Sequence, residues 1–153
     1  MTRVGVISDT HGLLRPEAVA FLRGSNFIVH AGDIGDAGIL RELAAIAPIT
    51  AVRGNNDRGA WAQTISETEV LQVEGVSIYV IHDLAGLDLD PRAAGLRVVV
   101  SGHSHKPSVD ERDGVLYLNP GSAGPRRFKL PIAVAEVVVS GATARARFVE
   151  LDL

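Results

Sequence analysis

Apolar and polar positions follow two rhythms along the chain, and the change comes at about residue 70. Before it, short apolar runs alternate with helix-like segments. Val4 to Ser8 is an apolar run ending in polar residues, which predicts a buried strand. Pro16 and Gly24 bracket Glu17-Ala18-Val19-Ala20-Phe21-Leu22-Arg23 as a helix, since proline suits the first turn and glycine the residue past the last. Phe27-Ile28-Val29 predicts a second strand. Asp36 is placed to cap a helix whose Ile39, Leu40, Leu43, Ala44 and Ala47 share one face, and Pro48 stops it. Ile49 to Val52 gives a third strand. Strand, helix, strand, helix, strand predicts two βαβ units and a parallel sheet.

After residue 70 the pattern turns to hairpins. Val70 to Val73 and Val76 to Ile81 flank Glu74-Gly75, Val115 to Leu118 follows Asp113-Gly114, and Ile132 to Val139 and Ala142 to Val149 flank Ser140-Gly141. Asp90-Pro91 predicts a short helix ending at Gly95, and Arg97 to Val100 another buried strand. No repeat, low-complexity segment or linker interrupts the chain, so residues 1–153 read as one α/β domain with two sheets.

Composition narrows the function classes. A chain of 153 residues is one domain's worth. At that length a fold buries roughly 68–70% of its unfolded surface, so its core can carry it unaided. A net charge of −3 argues against a nucleic-acid groove binder, whose footprint is basic. The absence of cysteine excludes disulfides, thiolate zinc sites and a cysteine nucleophile, and fits a reducing compartment. The most apolar stretch, Leu130 to Val139, is interrupted by Pro131 and Glu136 and is too short to cross a membrane. The apolar run after Arg3 is too brief for the core of a signal peptide, so a cytoplasmic protein is expected.

The strand ends carry the chemistry. Asp9-Thr10-His11 follows the first strand, Gly32-Asp33 the second, and Gly54-Asn55-Asn56-Asp57 the third. His82 ends the strand beginning at Val76, and Gly102-His103-Ser104-His105 follows Val98 to Val100. In α/β sheets ligands bind outside the carboxyl ends of the strands, so all five groups fall where a site is expected. Singly, Asp33 fits an Asx turn, Asn55 a tight turn and His82 a hydrogen-bonded core histidine. Together they are hard to dismiss, because four of the five histidines sit in these motifs. In extended chain, side chains two residues apart point the same way, so Asp9 and His11 are expected to grip one ion together. His103 and His105 share that spacing, and each is able to serve a different ion of a close pair. The donors are all nitrogen and oxygen, which suits manganese, iron, zinc, nickel or cobalt and disfavours Cu(I) and iron–sulfur clusters.

Asp9-x-His11, Gly32-Asp33, Gly54-Asn55, His82 and Gly102-His103-x-His105 resemble, in order, the motif set of calcineurin-like metallophosphoesterases. The short chain and the loop Asn119-Pro120-Gly121-Ser122 resemble the small microbial phosphodiesterase branch. The resemblance implies a four-layer α/β/β/α sandwich of two mixed sheets and a centre of two divalent metal ions. Manganese is the first expectation, with iron, nickel, zinc, cobalt or magnesium as alternatives. Carried over by motif, Asp9, His11 and His105 would hold one ion, Asn55, His82 and His103 the other, and Asp33 would bridge them. The family places a shared water or hydroxide between the ions, which lower its pKa and clamp the phosphoryl oxygens. Two divalent ions against the carboxylates of Asp9 and Asp33 leave a positive centre, so an acidic chain is compatible with an anionic substrate.

Two positions depart from the family pattern. Many members carry histidine directly after the motif asparagine, where this chain has Asn56. An amide cannot act as a general acid near neutral pH, though it can donate to a phosphoryl oxygen. General acid help is worth ~10²–10⁴-fold, so the expected substrates are diesters with good, aryl-type leaving groups, and alkyl monoesters should be poor. The small-phosphodiesterase branch often lacks that histidine too. Asp83 stands where the family usually has glycine, placed either to cap the next segment or to hydrogen-bond a ligand histidine.

Other residues are weaker candidates. His30 is placed to orient Asp33 or simply to sit buried, and Asp57 to tie down its loop. The turn Arg126-Arg127-Phe128-Lys129 either supplies Arg126 to a substrate phosphate or is a solvated basic turn. Trp61 either lines a pocket rim or anchors its long loop. The expected partner is a small phosphodiester, with no membrane, nucleic acid disfavoured and a homo-oligomer admitted. The competing function is a non-catalytic scaffold on the same fold, resembling a retromer subunit. It is disfavoured because all seven positions retain residues competent to bind metal.

Overall fold

The computed structural model describes residues 1–153, which form ten strands, three helices and one 3-10 turn. The first half alternates as expected: β1 Thr2–Ile7, α1 Pro16–Leu22, β2 Phe27–His30, α2 Ala37–Ala44, β3 Ile49–Ala51 and α3 Ala60–Gln63. The second half contains β4 Thr68–Val73, β5 Val76–Ile81, the 3-10 turn Leu84–Gly86, β6 Val98–Val100, β7 Ser108–Arg112, β8 Val115–Asn119, β9 Ala133–Ser140 and β10 Thr143–Glu150. The local chemistry is that of the sequence. Pro16 opens α1. The Asp36 carboxylate caps α2 by accepting from the Gly38 N–H at 2.9 Å.

Two five-stranded mixed sheets result, ordered β10-β9-β1-β2-β3 and β4-β5-β6-β8-β7. In the first, β1, β2 and β3 run parallel, joined by α1 and α2, and β9 pairs antiparallel with β1. In the second, β5, β6 and β8 run parallel, and the hairpin partners β4 and β7 close the edges antiparallel. Val4, Val6, Ile78, Val80, Val98, Val100, Val137 and Val139 lie between the sheets in one fully buried core. Burial of each such valine contributes on the order of 1.5 kcal/mol or more. On the outer face of the first sheet, Leu22 of α1 and Ile39 and Leu43 of α2 pack on Ile7, Ile28 and Val134.

The layers follow the expected α/β/β/α order, but the fourth is thin. Tyr79, Ile81, Leu96, Val99 and Val115 are covered by Leu84 and Leu87 around the 3-10 turn. The helix expected from Asp90 to Gly95 is instead one hydrogen-bonded turn, in which Ala94 N–H donates to Asp90 O. Gly95, at φ +78°, and the burial of Leu96 end it there. Helix α3 forms within a segment that reads as polar loop. There Trp61 packs against the helix-side core, so it anchors the segment. No helix is long and apolar enough to cross a membrane.

Candidate metal centre

Because β1, β2, β3, β5 and β6 run parallel within their sheets, their carboxyl ends bring the five motifs to one end of the sandwich. Asp9 and His11 follow β1, Asp33 follows β2, Asn55 follows β3, His82 directly follows β5, and His103 and His105 follow β6. His82 continues the inward face of Val80, which aims its ring between the sheets.

The extended-chain argument for Asp9 and His11 does not hold. Both are left-handed, at φ 55° and 46°, as are Asp33 at 55°, His103 at 70° and His105 at 62°. These are five of the eight non-glycine residues with positive φ. Such conformations cost on the order of 1–3 kcal/mol each and persist where the surroundings over-determine them. The side chains therefore converge through tight curls of backbone, with the strain concentrated at one site.

The polar atoms form two touching groups. In the first, His11 Nε2 lies 3.3 Å from His105 Nε2, and Asp9 Oδ1 lies 3.4 Å from His105 Nε2 and 3.8 Å from His11 Nε2. In the second, Asn55 Oδ1 lies 3.0 Å from His82 Nε2 and 3.2 Å from His103 Nδ1. Asp33 Oδ2 joins them, 3.7 Å from His11 Nε2 and 3.4 Å from His82 Nε2. Asp9 also reaches the second group, its Oδ1 3.9 Å from His82 Nε2. Donors bound to one ion at ~2.0–2.2 Å stand ~3–3.6 Å apart, close to these separations.

The donor chemistry fits a cation. Asp9 Oδ1 is buried without a hydrogen-bond partner. His82 Nδ1–H donates to Ala31 O at 2.7 Å, which leaves the lone pair of Nε2 facing the oxygens of Asn55 and Asp33. Acceptors that converge on one another need a proton or a metal between them. Burial alone would lower the His82 pKa, but the Asp33 contact, the Asp9 charge and the Ala31 carbonyl together raise it. Burial pushes the Asp33 pKa upward, yet contacts from His82 and Asn56 hold it well below the usual carboxylate range. Asn55 and His103 are exposed, so the second group forms the open side.

Backbone contacts hold the loops at this spacing. Gly54 and Gly102 lie so close to the aspartates that a side chain there would overlap them: a methyl on Gly54 meets Asp33 Oδ1, and one on Gly102 meets Ser8 Oγ. Asp57 accepts from Gly35 N–H and Gly54 N–H, both at 2.9 Å, so it ties two site loops together. His30 is fully buried; its Nδ1 accepts from Gly32 N–H at 3.0 Å, and its Nε2–H faces Thr10 Oγ1 at 3.0 Å. Thr10 donates onward to Ile34 O. His30 thus links the β1 and β2 loops through Thr10 and Gly32. Burial, opposed by the charges of Asp9 and Asp57, lowers its pKa to about 4.

Three other candidates have clear placements. Asn56 faces Asp33, its backbone N–H donating to Oδ1 at 2.8 Å and its side-chain amide to Oδ2 at 3.0 Å. Asp83 caps the 3-10 turn, its Oδ1 accepting from Ala85 N–H at 3.0 Å; its Oδ2 lies 3.7 Å from His103 Nε2, too far for a hydrogen bond. Arg126 is not brought to the cluster; it is exposed and donates to Leu130 O within its own turn. Sequence reasoning singled out the loop from Asn119 to Ser122 only as a resemblance and missed the support these two side chains give the site. Asn119 Nδ2 donates to Gly102 O and Ser104 Oγ, and Ser122 Oγ donates to Asp9 O. The available signal was polar residues at the end of an otherwise apolar strand.

A family model described as the calcineurin-like phosphoesterase superfamily domain matches residues 2–141. A probable metallophosphoesterase of Methanocaldococcus jannaschii is 38% identical over 78% of this chain and 67% of its own length. A phosphodiesterase of the same organism is 26% identical over 78% of this chain and 82% of its own length. Among solved structures, Vps29 of Chaetomium thermophilum superposes with a TM-score of 0.84 at 16% identity, covering 99% of this chain and 90% of that one.

Proposed function

We propose that this chain, which belongs to the calcineurin-like phosphoesterase superfamily, is a phosphodiesterase that uses two divalent ions held by Asp9, His11, Asp33, Asn55, His82, His103 and His105. The observation that carries the reading is Asp9 Oδ1, a buried oxygen with no hydrogen-bond partner, within 3.9 Å of His11, His82 and His105, with Asp33 and Asn55 beside His82 and His103 beside Asn55. The ions expected there, manganese first, would supply activation of water and polarisation of the phosphoryl group.

The chain's own residues set the geometry. Asp9, His11 and His105 form one pole, and Asn55, His82 and His103 the other. Asp33 lies between them, and Asn56 clamps both of its oxygens. The Ala31 carbonyl fixes the His82 tautomer so that Nε2 is the donor. Substrate approaches on the exposed Asn55–His103 side. Asn56 has its amide directed at Asp33 and no acidic proton to give, so departure of the alcohol depends on the alcohol's own acidity. That favours aryl diesters over alkyl esters.

The test is metal analysis coupled to hydrolysis of bis(4-nitrophenyl) phosphate, with and without chelator. Activity lost on stripping and regained with manganese supports the reading. Equal rates on alkyl phosphomonoesters would refute the role given to Asn56. A protein that binds no divalent ion and turns over nothing would instead favour an interaction scaffold.

A further inference from the structure

The two carboxylate oxygens of Asp9 have different surroundings. Oδ1 has no hydrogen-bond partner and faces His11, His82 and His105. Oδ2 accepts twice, from the Ser8 hydroxyl at 2.6 Å and from the His103 backbone N–H at 3.1 Å. Ser8 directly follows β1 and is fully buried. In extended chain, neighbouring side chains point to opposite faces, but the left-handed backbone of Asp9 folds its carboxylate back onto the Ser8 hydroxyl. The short separation is that of a hydroxyl donating to an ionised carboxylate, a stronger class than a neutral pair. The other acceptor within reach of this hydroxyl, Gly32 O, is 3.4 Å away, so the proton goes to Asp9. Gly102, where a side chain would overlap Ser8 Oγ and Asp9 Oδ2, lets the loop after β6 close over the pair.

We propose that Ser8 is a positioning residue that aims Asp9 Oδ1 at the ions and, through Oδ2, holds His103 of the other pole in register with it; this rests on the metal-binding reading. An aspartate that turns freely about its side-chain bonds offers an ion either oxygen or both. With Oδ2 occupied by two donors, Asp9 has one oxygen left to give. The same Oδ2 carries the backbone of His103, whose ring stands beside Asn55 in the second group. One buried hydroxyl thus sets the orientation of a side chain in one pole and the backbone of a residue in the other.

The test compares wild type with Ser8→Ala and with Ser8→Cys, which keeps the shape but donates weakly, with folding checked by thermal melts. Manganese affinity, measured by calorimetry, should fall ~10–100-fold in Ser8→Ala, the usual cost of losing a partner behind a metal ligand, and less in Ser8→Cys. In the metal-free protein, hydrogen exchange at the His103 amide should speed roughly tenfold in Ser8→Ala, as weakening a hydrogen bond to a charged group allows. The Asp9 amide, which donates to Gly32 O, and the Ala123 amide, which donates to Ser8 O, should exchange as in wild type. A merely structural role would speed all three amides together, and that result overturns the inference. Equal manganese affinity with unchanged His103 exchange overturns it as well, and leaves the metal-binding reading intact. A wild type that binds no manganese, with His103 exchange still speeded selectively in Ser8→Ala, overturns the metal-binding reading and leaves the role of Ser8 standing.

Discussion

Replacing His30 with asparagine should flatten the acid limb of the stability curve. His30 is fully buried, and burial lowers its pKa from 6.5 to about 4. The unfolded chain therefore binds the His30 proton first as pH falls. The stability that comes from the neutral ring is whole above pH 6.5 and is lost as pH drops through the folded value near 4. The gap corresponds to ~3 kcal/mol, most of it expressed by pH 4. Asparagine keeps an acceptor near the position of Nδ1 for the Gly32 N–H but carries no titrating proton. The assay is urea unfolding of chelator-treated wild type and His30→Asn at pH 7.5 and at pH 4. The variant should be the less stable at pH 7.5, because it loses the Thr10 contact. That deficit should shrink or reverse by ~3 kcal/mol at pH 4. Carboxylates remote from His30 titrate alike in both proteins and cancel; Asp9, Asp33 and Asp57 are coupled to its charge and share in the difference. A deficit equal at the two pH values would refute the reasoning.

Three further outcomes are expected. Gly54→Ala should push Asp33 from its place and weaken manganese affinity by ~10–100-fold, measured by calorimetry; unchanged affinity would show that the loop yields freely. Asp9→Asn should leave the metal-free protein as stable as wild type or slightly more so, since it removes one of two neighbouring buried carboxylates. It should also abolish the manganese-induced rise in Tm, a stabilisation of ~2.7 kcal/mol at a hundredfold excess over Kd. Asp57→Asn can accept from only one of Gly35 N–H and Gly54 N–H, so it should cost ~1–3 kcal/mol in denaturant melts, and a cost near zero would contradict the tie between the loops.

The elements most legible in the sequence were those decided locally. The Asp36 cap, the Pro16 start and the Glu74-Gly75 hairpin rest on nearby backbone, and each forms where its residues stand. The convergence of the motif residues was legible because strand ends in parallel sheets share one edge, so these residues come together whatever the loops do. How they assemble was not. The spacing of Asp9 and His11 suggested extended chain, but contacts from Gly32 and Asp33 carbonyls curl that segment into the left-handed region. Asn56 was expected to face a substrate and faces Asp33, a preference created only when β2 and β3 lie side by side. The helix expected after Asp90 lost to the need to bury Leu96.

His11 and His105 lie 94 residues apart in the sequence, and Asn55 and His103 lie 48 apart, yet each pair stands within 3.3 Å. An ion shared by such donors is a reversible cross-link between the two sheets, in a chain that has no cysteine to make a permanent one. A covalent bridge closing a loop of about a hundred residues restricts the unfolded chain by roughly 4.7 kcal/mol. Chelation of this protein should therefore act as reduction acts on a disulfide-bonded one: the staple opens, and the two halves become easier to part and to digest.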